Sequence, residues 1–367
     1  MDEFQIIIVG AGISGCVLAE RYANILDKNV LVIEKRNHIG GNCFDHLDKY
    51  KVLIHKYGPH FFHTNNQKVW NYISQFTKWH FYEHRVLSYV DNIFVPVPVN
   101  INTINALFRA NISTPKEMKD WLKKETLNIK NEKNSEEVAL TKFGKKLYEK
   151  LFKKYTLKQW GMHPKKIDPS VMRRISIHYS YDDRYFTDKY QAIPKDGYNS
   201  IFKKMLNSKK IKLILNTDFF KFKKNIKNFE KLFYSGPLDS YFQFKYGKLR
   251  YRSLYFKKKN LKTDFYQQKA QINYPNDYDF TRITEFKHAT GQKVNSTTIM
   301  YEYPRWRGEP FYPVLDDRNR KKLKLYQQKI NQLKKQNIYF IGRLANYIYI
   351  NMDTAFANAL NLFDAVK

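Results

Sequence analysis

Two stretches decide the fold: Phe4-Gln5-Ile6-Ile7-Ile8-Val9-Gly10-Ala11-Gly12-Ile13-Ser14-Gly15-Cys16-Val17-Leu18-Ala19 and Val30-Leu31-Val32-Ile33-Glu34. An apolar run, a glycine turn, apolar residues at helical spacing, a second apolar run and an acid follow one another. That order is the first βαβ unit of a dinucleotide-binding fold, with the acid roughly 20 residues beyond the turn. Gly10 permits the tight turn, Gly12 lets backbone approach a pyrophosphate, and Gly15 lets helix pack on strand. Ala11, Ile13 and Ser14 complete the turn and offer N–H groups at the helix start. Glu34 is placed to accept from a ribose hydroxyl and to repel a 2′-phosphate; Lys35 follows it.

Working outward, Gly40-Gly41-Asn42 comes just after the acid, a doublet typical of FAD rather than NAD proteins. Ser113-Thr114-Pro115-Lys116-Glu117 reads as a helix start, with Thr as N-cap, Pro at N1 and Glu at N3. Helical spacing then continues to about Trp160, so Asn102 to Trp160 reads as an inserted helical lobe. Ile175–Tyr190 and Tyr241–Tyr303 are rich in Tyr, Phe, Thr and Ile between turn signals and read as antiparallel strands. Ile211–Leu215 and Ile338–Ile341 read as further strands of the first sheet, and a closing helix runs from about Met352 to Val366, with Asp353 near its start. The expected architecture is α/β: a discontinuous FAD-binding Rossmann-like domain (1–75, 200–240 and 318–367), a helical domain (101–170) and an antiparallel sheet domain (76–100, 171–199 and 241–317).

Composition narrows the function. The 367 residues carry 65 Lys and Arg against 34 Asp and Glu, a net charge of +31. The lysines are spread along the chain, with no zinc-finger spacing, basic zipper or RNA-recognition motif, so no nucleic-acid partner is expected. The charge draws an anionic small molecule instead. Cys16 and Cys43 cannot build a disulfide framework, and His60 and His63 lack the accompanying acids or cysteines of a zinc site, so no metal is expected. No apolar run is long enough to span a bilayer and the first residues lack a secretory pattern, so the expected setting is cytoplasmic.

Further motifs are His55-Lys56-Tyr57-Gly58-Pro59-His60-Phe61-Phe62-His63-Thr64, Tyr155-Thr156-Leu157-Lys158-Gln159-Trp160-Gly161, Tyr251-Arg252-Ser253-Leu254 and Gly342-Arg343-Leu344-Ala345-Asn346-Tyr347-Ile348-Tyr349. Together with Glu34 to Asn42 they closely resemble bacterial UDP-galactopyranose mutases, nearly end to end. The resemblance implies interconversion of UDP-galactopyranose and UDP-galactofuranose on reduced FAD. It implies a covalent glycosyl adduct at flavin N5, no net redox change and a homodimer. Arg174 and Arg282 match the two catalytic arginines, where a permanently charged, forked donor suits a leaving diphosphate. Tyr185, Tyr312 and Tyr349 fall at matching positions as further donors. Tyr155, with Phe152 beside it, stacks on uracil, and Trp160 matches a tryptophan of the mobile loop. His60 and His63 lie beside the flavin, His63 steering its conformation or protonation. Arg252, Arg343, Asn351 and Met352 are expected at the cofactor, the last two at a helix start whose N–H groups stabilise an anionic reduced flavin. Asn273, His84 and Glu302 are expected around the sugar.

Asn351 stands where the family usually carries an acid, and His84 where it often carries Asn. Both fall on the sugar side and leave UDP-N-acetylgalactosamine open beside the galactose form. An FAD oxidase of the amine-oxidase type shares the glycine turn but does not need two diphosphate-binding arginines. A non-catalytic polyanion-binding protein does not need the flavin fingerprint.

Overall fold

A computed structural model describes residues 4–367. Ile6–Val9 and Val30–Ile33 are strands flanking the helix Ile13–Ile25, as the opening motif requires. They lie in a five-stranded parallel sheet with the spatial order Ile211–Ile214, Val30–Ile33, Ile6–Val9, Lys231–Tyr234, Ile338–Phe340. Ile6, Ile7, Ile8 and Val9 are all buried, because helices and loops cover both faces. The helices Ile13–Ile25 and Met352–Val366 pack on one face through Tyr22 and Phe363, whose rings meet edge-on at 5.1 Å.

A seven-stranded, mostly antiparallel sheet runs Tyr312–Pro313, Tyr251–Leu261, Thr297–Arg305, Arg282–Glu285, Gln271–Asn273, Val86–Val90, Ile93–Val97. A three-stranded sheet pairs Tyr190–Pro194 with both Phe62–Thr64 and Trp79–Phe81, joining segments that the sequence division assigned to different domains. The helical lobe includes Ile101–Phe108, Pro115–Glu125, Ser135–Lys142 and Lys153–Trp160, packed around Val138, Phe143, Leu147 and Leu151. Thr114 and Glu117 form the reciprocal cap that their spacing predicts, Glu117 N–H donating to Thr114 Oγ1 at 3.2 Å.

One expectation is corrected. Ile175 to Lys189 form no strand; only isolated bridges at Ile177 and Arg184 interrupt an irregular path. Local side chains satisfy its backbone instead. The Arg184 N–H donates to Asp182 Oδ1 at 3.0 Å and the Asp182 N–H to Ser180 Oγ at 3.2 Å. No helix among the described residues is long and apolar enough to cross a membrane.

Candidate active site

Two cavities meet between the sheets. The larger, of about 990 Å³, lies over the carboxyl ends of the parallel strands, where ligands bind in open α/β sheets. Gly10, Gly12, Ile13, Ser14, Glu34, Lys35, Gly41 and Asn42 line it. Its glycines form a cradle that side chains would fill. Gly10 has φ +99°, and a Cβ there would lie 2.2 Å from Ser235 Oγ. A Cβ on Gly41 would lie 2.9 Å from Gly12 Cα. Ala11 and Gly15 work from beneath. A Cβ on Gly15 would strike the Gly10 carbonyl oxygen, and the Ala11 N–H donates to Glu34 Oε2 at 2.7 Å. Glu34 Oε1 also accepts from the Arg36 N–H at 2.8 Å, so its carboxylate is held at the cavity wall by two backbone donors. This lining fits a dinucleotide.

The second cavity, of about 500 Å³, shares Asn42, Tyr57, His60, Arg343, Asn351 and Met352 with the first. One turn of π-helix, Tyr148–Phe152, leads into Lys153–Trp160. The extra residue of that turn re-phases the helix, and Phe152, Tyr155, Gln159 and Trp160 line the cavity. Burial pushes the Tyr155 hydroxyl up to about 12, so it stays a neutral donor.

Arg174 follows the short helix Pro169–Arg173. Its guanidinium lies 4.0 Å from the Tyr349 ring centre and Nη2 donates to the Tyr349 hydroxyl at 3.2 Å. The Tyr349 ring stacks on Tyr312 at 5.4 Å. Burial opposes ionisation of Tyr349, but Arg174, Arg343 and Arg282 together hold its hydroxyl below the ordinary phenol range. Arg282 sits opposite Glu302 on adjacent strands, and Nη2 lies 3.0 Å from Glu302 Oε1. Burial works against the Arg282 charge, yet Glu302 keeps the guanidinium firmly cationic. Its Nε, buried among the described residues, has no partner, which leaves a donor for an anion.

At the far end His63 Nδ1 pairs with Asp188 Oδ2 at 2.8 Å, and its ring stacks on Phe186 at 3.6 Å. The His84 ring packs against Phe61 with centres 4.0 Å apart and planes tilted by 32°. Burial, then Arg282 and His63, lower His84 to about 3, so its imidazole is neutral.

Residues 150–349 match the family model for UDP-galactopyranose mutase, and residues 8–76 a model for NAD(P)-binding Rossmann-like domains. A protein of Klebsiella pneumoniae named probable UDP-galactopyranose mutase is 38% identical, covering 99% of this chain and 95% of its own. The chain belongs to the UDP-galactopyranose mutase family. The family's relatives also include a dTDP-fucopyranose mutase of Escherichia coli, 35% identical over 97% of this chain and 96% of its own. A UDP-galactopyranose mutase of Mycoplasma genitalium is 37% identical over 97% and 93%. Among solved structures, a reduced UDP-galactopyranose mutase shares the fold at TM-score 0.80 and 17% identity, covering 100% of this chain and 94% of that one. A putative protoporphyrinogen oxidase from an Exiguobacterium shares it at 0.65 and 11%, covering 100% and 99%.

Within this mutase-family frame the structure brings Arg174, Arg282, Tyr185, Tyr312, Tyr349, Asn273, Glu302, His63 and His84 around the one smaller cavity. Apart from Ala11 and Gly15, which lie beneath the cradle, Arg252 is the exception among the predicted residues. It lines neither cavity: it is 2% exposed, and its Nε and Nη2 donate to the Gln159 and Lys158 carbonyls at 2.9 and 3.0 Å. It caps the end of the helix Lys153–Trp160 rather than touching a cofactor. Sequence reasoning also missed Asp188, Phe186, Tyr57 and Lys158. Asp188 is 125 residues from His63, and no spacing rule links them. Among the described residues, no three or more His, Cys, Asp or Glu are grouped to hold a metal ion.

Proposed function

We propose that this chain interconverts the pyranose and furanose forms of UDP-galactose with FAD as its resident cofactor, active when reduced. One observation supports this above the others. Two arginines and three tyrosines converge on a cavity that opens directly into the dinucleotide cradle through Asn42, Tyr57, His60, Arg343, Asn351 and Met352.

When bound and reduced, the flavin supplies a nucleophilic nitrogen to the anomeric carbon, so exchange proceeds without net redox change. The chain's own residues do the rest. Arg174 and Arg282 grip the diphosphate from two sides and stabilise the charge that grows on it as it leaves. The Tyr185, Tyr312 and Tyr349 hydroxyls add donors. Tyr155 and Phe152 offer an aromatic wall to the base, and Trp160 closes the same end, keeping water from the reacting centre. Neutral His84 faces the sugar, and His63, fixed by Asp188, steers the flavin's conformation or protonation. Asn351 begins the helix Met352–Val366 without a side-chain cap; the Thr354 N–H donates to Asp353 Oδ1 at 2.6 Å, which leaves the Met352 and Asp353 N–H groups for the flavin's electron-rich ring, with Arg343 adding positive charge.

The test is turnover of UDP-galactofuranose by the purified yellow protein with and without dithionite, repeated with UDP-N-acetylgalactosamine and dTDP-fucose. Turnover of the galactose form only after reduction is the expected result. Redox-independent turnover sinks the flavin role, and oxidation of an amine with oxygen uptake favours the oxidase reading.

A further inference from the structure

The helix that carries Tyr155 is tied by a half-buried ammonium to the loop that leads into the strand of Arg282. Lys158 Nζ donates to the carbonyls of Tyr274, Tyr278 and Phe280 at 2.5, 2.7 and 3.0 Å. An ammonium has three N–H donors, and here each meets a carbonyl. These carbonyls belong to one loop, closed at its neck by the Tyr274 N–H donating to the Thr281 carbonyl at 2.9 Å. The residues at the loop's two ends, Asn273 and Arg282, both line the smaller cavity. Lys158 stands three residues after Tyr155, on the same helix face. A second tie, Asn276 Nδ2 to the Lys150 carbonyl at 3.1 Å, joins the same loop to the preceding turn. From the opposite side Arg252 holds the carbonyls of Lys158 and Gln159. The helix ends at Gly161, where a Cβ would lie 2.7 Å from Trp306 Nε1 and 2.8 Å from Arg252 Nη1.

We propose that Lys158 is a positioning residue for the nucleotide: its ammonium, enclosed by the 274–280 loop, fixes Tyr155 relative to Arg282. Base-binding and diphosphate-binding groups then meet a nucleoside diphosphate at one preset spacing. This rests on reading the cavity as a nucleotide site. Without the tie, helix and loop must be ordered by the ligand itself, and affinity falls by the cost of that ordering. Lys158 does not touch the reacting atoms, so its loss acts on binding rather than on the chemical step.

The experiment uses the flavin-loaded full chain with Lys158→Met, and with Lys158→Cys before and after aminoethylation, which restores an ammonium at nearly the same reach. Cys16 and Cys43 are buried, and burial pushes Cys43 up to about 12 and Cys16 up as well, so the introduced thiol reacts first. The readouts are UDP affinity, KM and kcat for the UDP-sugar, and amide hydrogen exchange. Lys158→Met is expected to raise the UDP dissociation constant and KM on the order of 10-fold, with kcat changed less than about 3-fold. Exchange should quicken in 153–161 and 274–281 but not in the strands Ile6–Val9 and Val30–Ile33. Aminoethylation should reverse each change. Unchanged affinity and exchange in Lys158→Met overturns the inference, and so does an aminoethylated protein as impaired as Lys158→Met. If the unsubstituted protein does not bind UDP, the nucleotide reading fails by itself, and exchange still decides whether the ammonium holds helix and loop together. If Lys158→Met does not fold, Lys158→Cys before and after aminoethylation supplies the same contrast.

Discussion

Replacing Glu302 by Gln should make the protein less stable and yet bind UDP more tightly. Glu302 is 2% exposed and faces Arg282 at 3.0 Å. Burial pushes its carboxyl above the ordinary range while Arg282 pulls it back. Removing its charge leaves Arg282 buried without a counter-ion, and losing one partner of a buried pair costs about 3 kcal/mol. Take a diphosphate charge on the other side of the guanidinium, roughly 6 Å from the carboxylate. At an effective dielectric of about 20, that repulsion is about 3 kcal/mol per unit charge before relaxation. Taking half of it as surviving relaxation, Glu302→Gln should bind UDP about 5- to 30-fold more tightly. Calorimetric titration of the flavin-loaded protein measures this. Thermal melts with and without saturating UDP should show the variant's lost stability largely returning with ligand. Equal or weaker UDP binding by a folded, flavin-loaded variant refutes the reasoning. Glu302 would then serve to orient Arg282, with its charge not competing with the ligand.

Gly10→Ala forces a Cβ toward Ser235 Oγ at a left-handed φ. The variant should purify with little flavin, which the flavin-to-protein absorbance ratio reads directly; full yellow occupancy would count against the cradle. Arg174→Lys keeps the charge but loses the fork and the 4.0 Å stack on Tyr349. Turnover should fall by about 10², and a normal rate would remove the bidentate role. His84 is lowered to about 3, and His55 well below its ordinary value, both chiefly by burial. The unfolded chain takes up protons on these rings below about 6.5 while the native protein does not. Their contribution to stability is therefore complete above that pH. It is lost as pH falls, by up to about 1.4 kcal/mol per unit for each ring. Urea midpoints from pH 7 to 5 should decline, and less steeply in His84→Gln.

The nucleotide cradle was legible because its chemistry is consecutive in the chain. Gly10 to Gly15 and Glu34 act on one another across a single βαβ unit, so spacing alone identifies them. The closing helix was legible for the same local reason. Lys231–Tyr234 was not read as a strand, although it lies at the sheet's interior beside Ile6–Val9. Four residues beginning with Lys carry no periodicity, and their burial comes from neighbours far away in sequence. The aromatic run from Ile175 to Lys189 misled in the opposite direction. Its composition suits strands, but Ser180 and Asp182 give the backbone nearer partners. Arg252 showed the remaining limit: a motif locates an arginine in the chain but does not say which carbonyls its side chain will meet.

The strand order of the parallel sheet has a consequence for biosynthesis. Lys231–Tyr234 pairs on one side with Ile6–Val9 and on the other with Ile338–Phe340. Roughly a hundred residues separate the second strand's emergence from that of its last partner, which at 5–20 residues per second is about 5–20 s of translation. Throughout that interval a nascent chain presents an unpaired apolar edge, the geometry most prone to wrong intermolecular pairing. The helix Met352–Val366, which covers Tyr22 through Phe363, arrives later still. With Asn351 read as a cofactor contact, flavin capture waits until this last strand and helix have emerged. Ribosome-bound chains halted before residue 338 should be colourless and depend on holding chaperones.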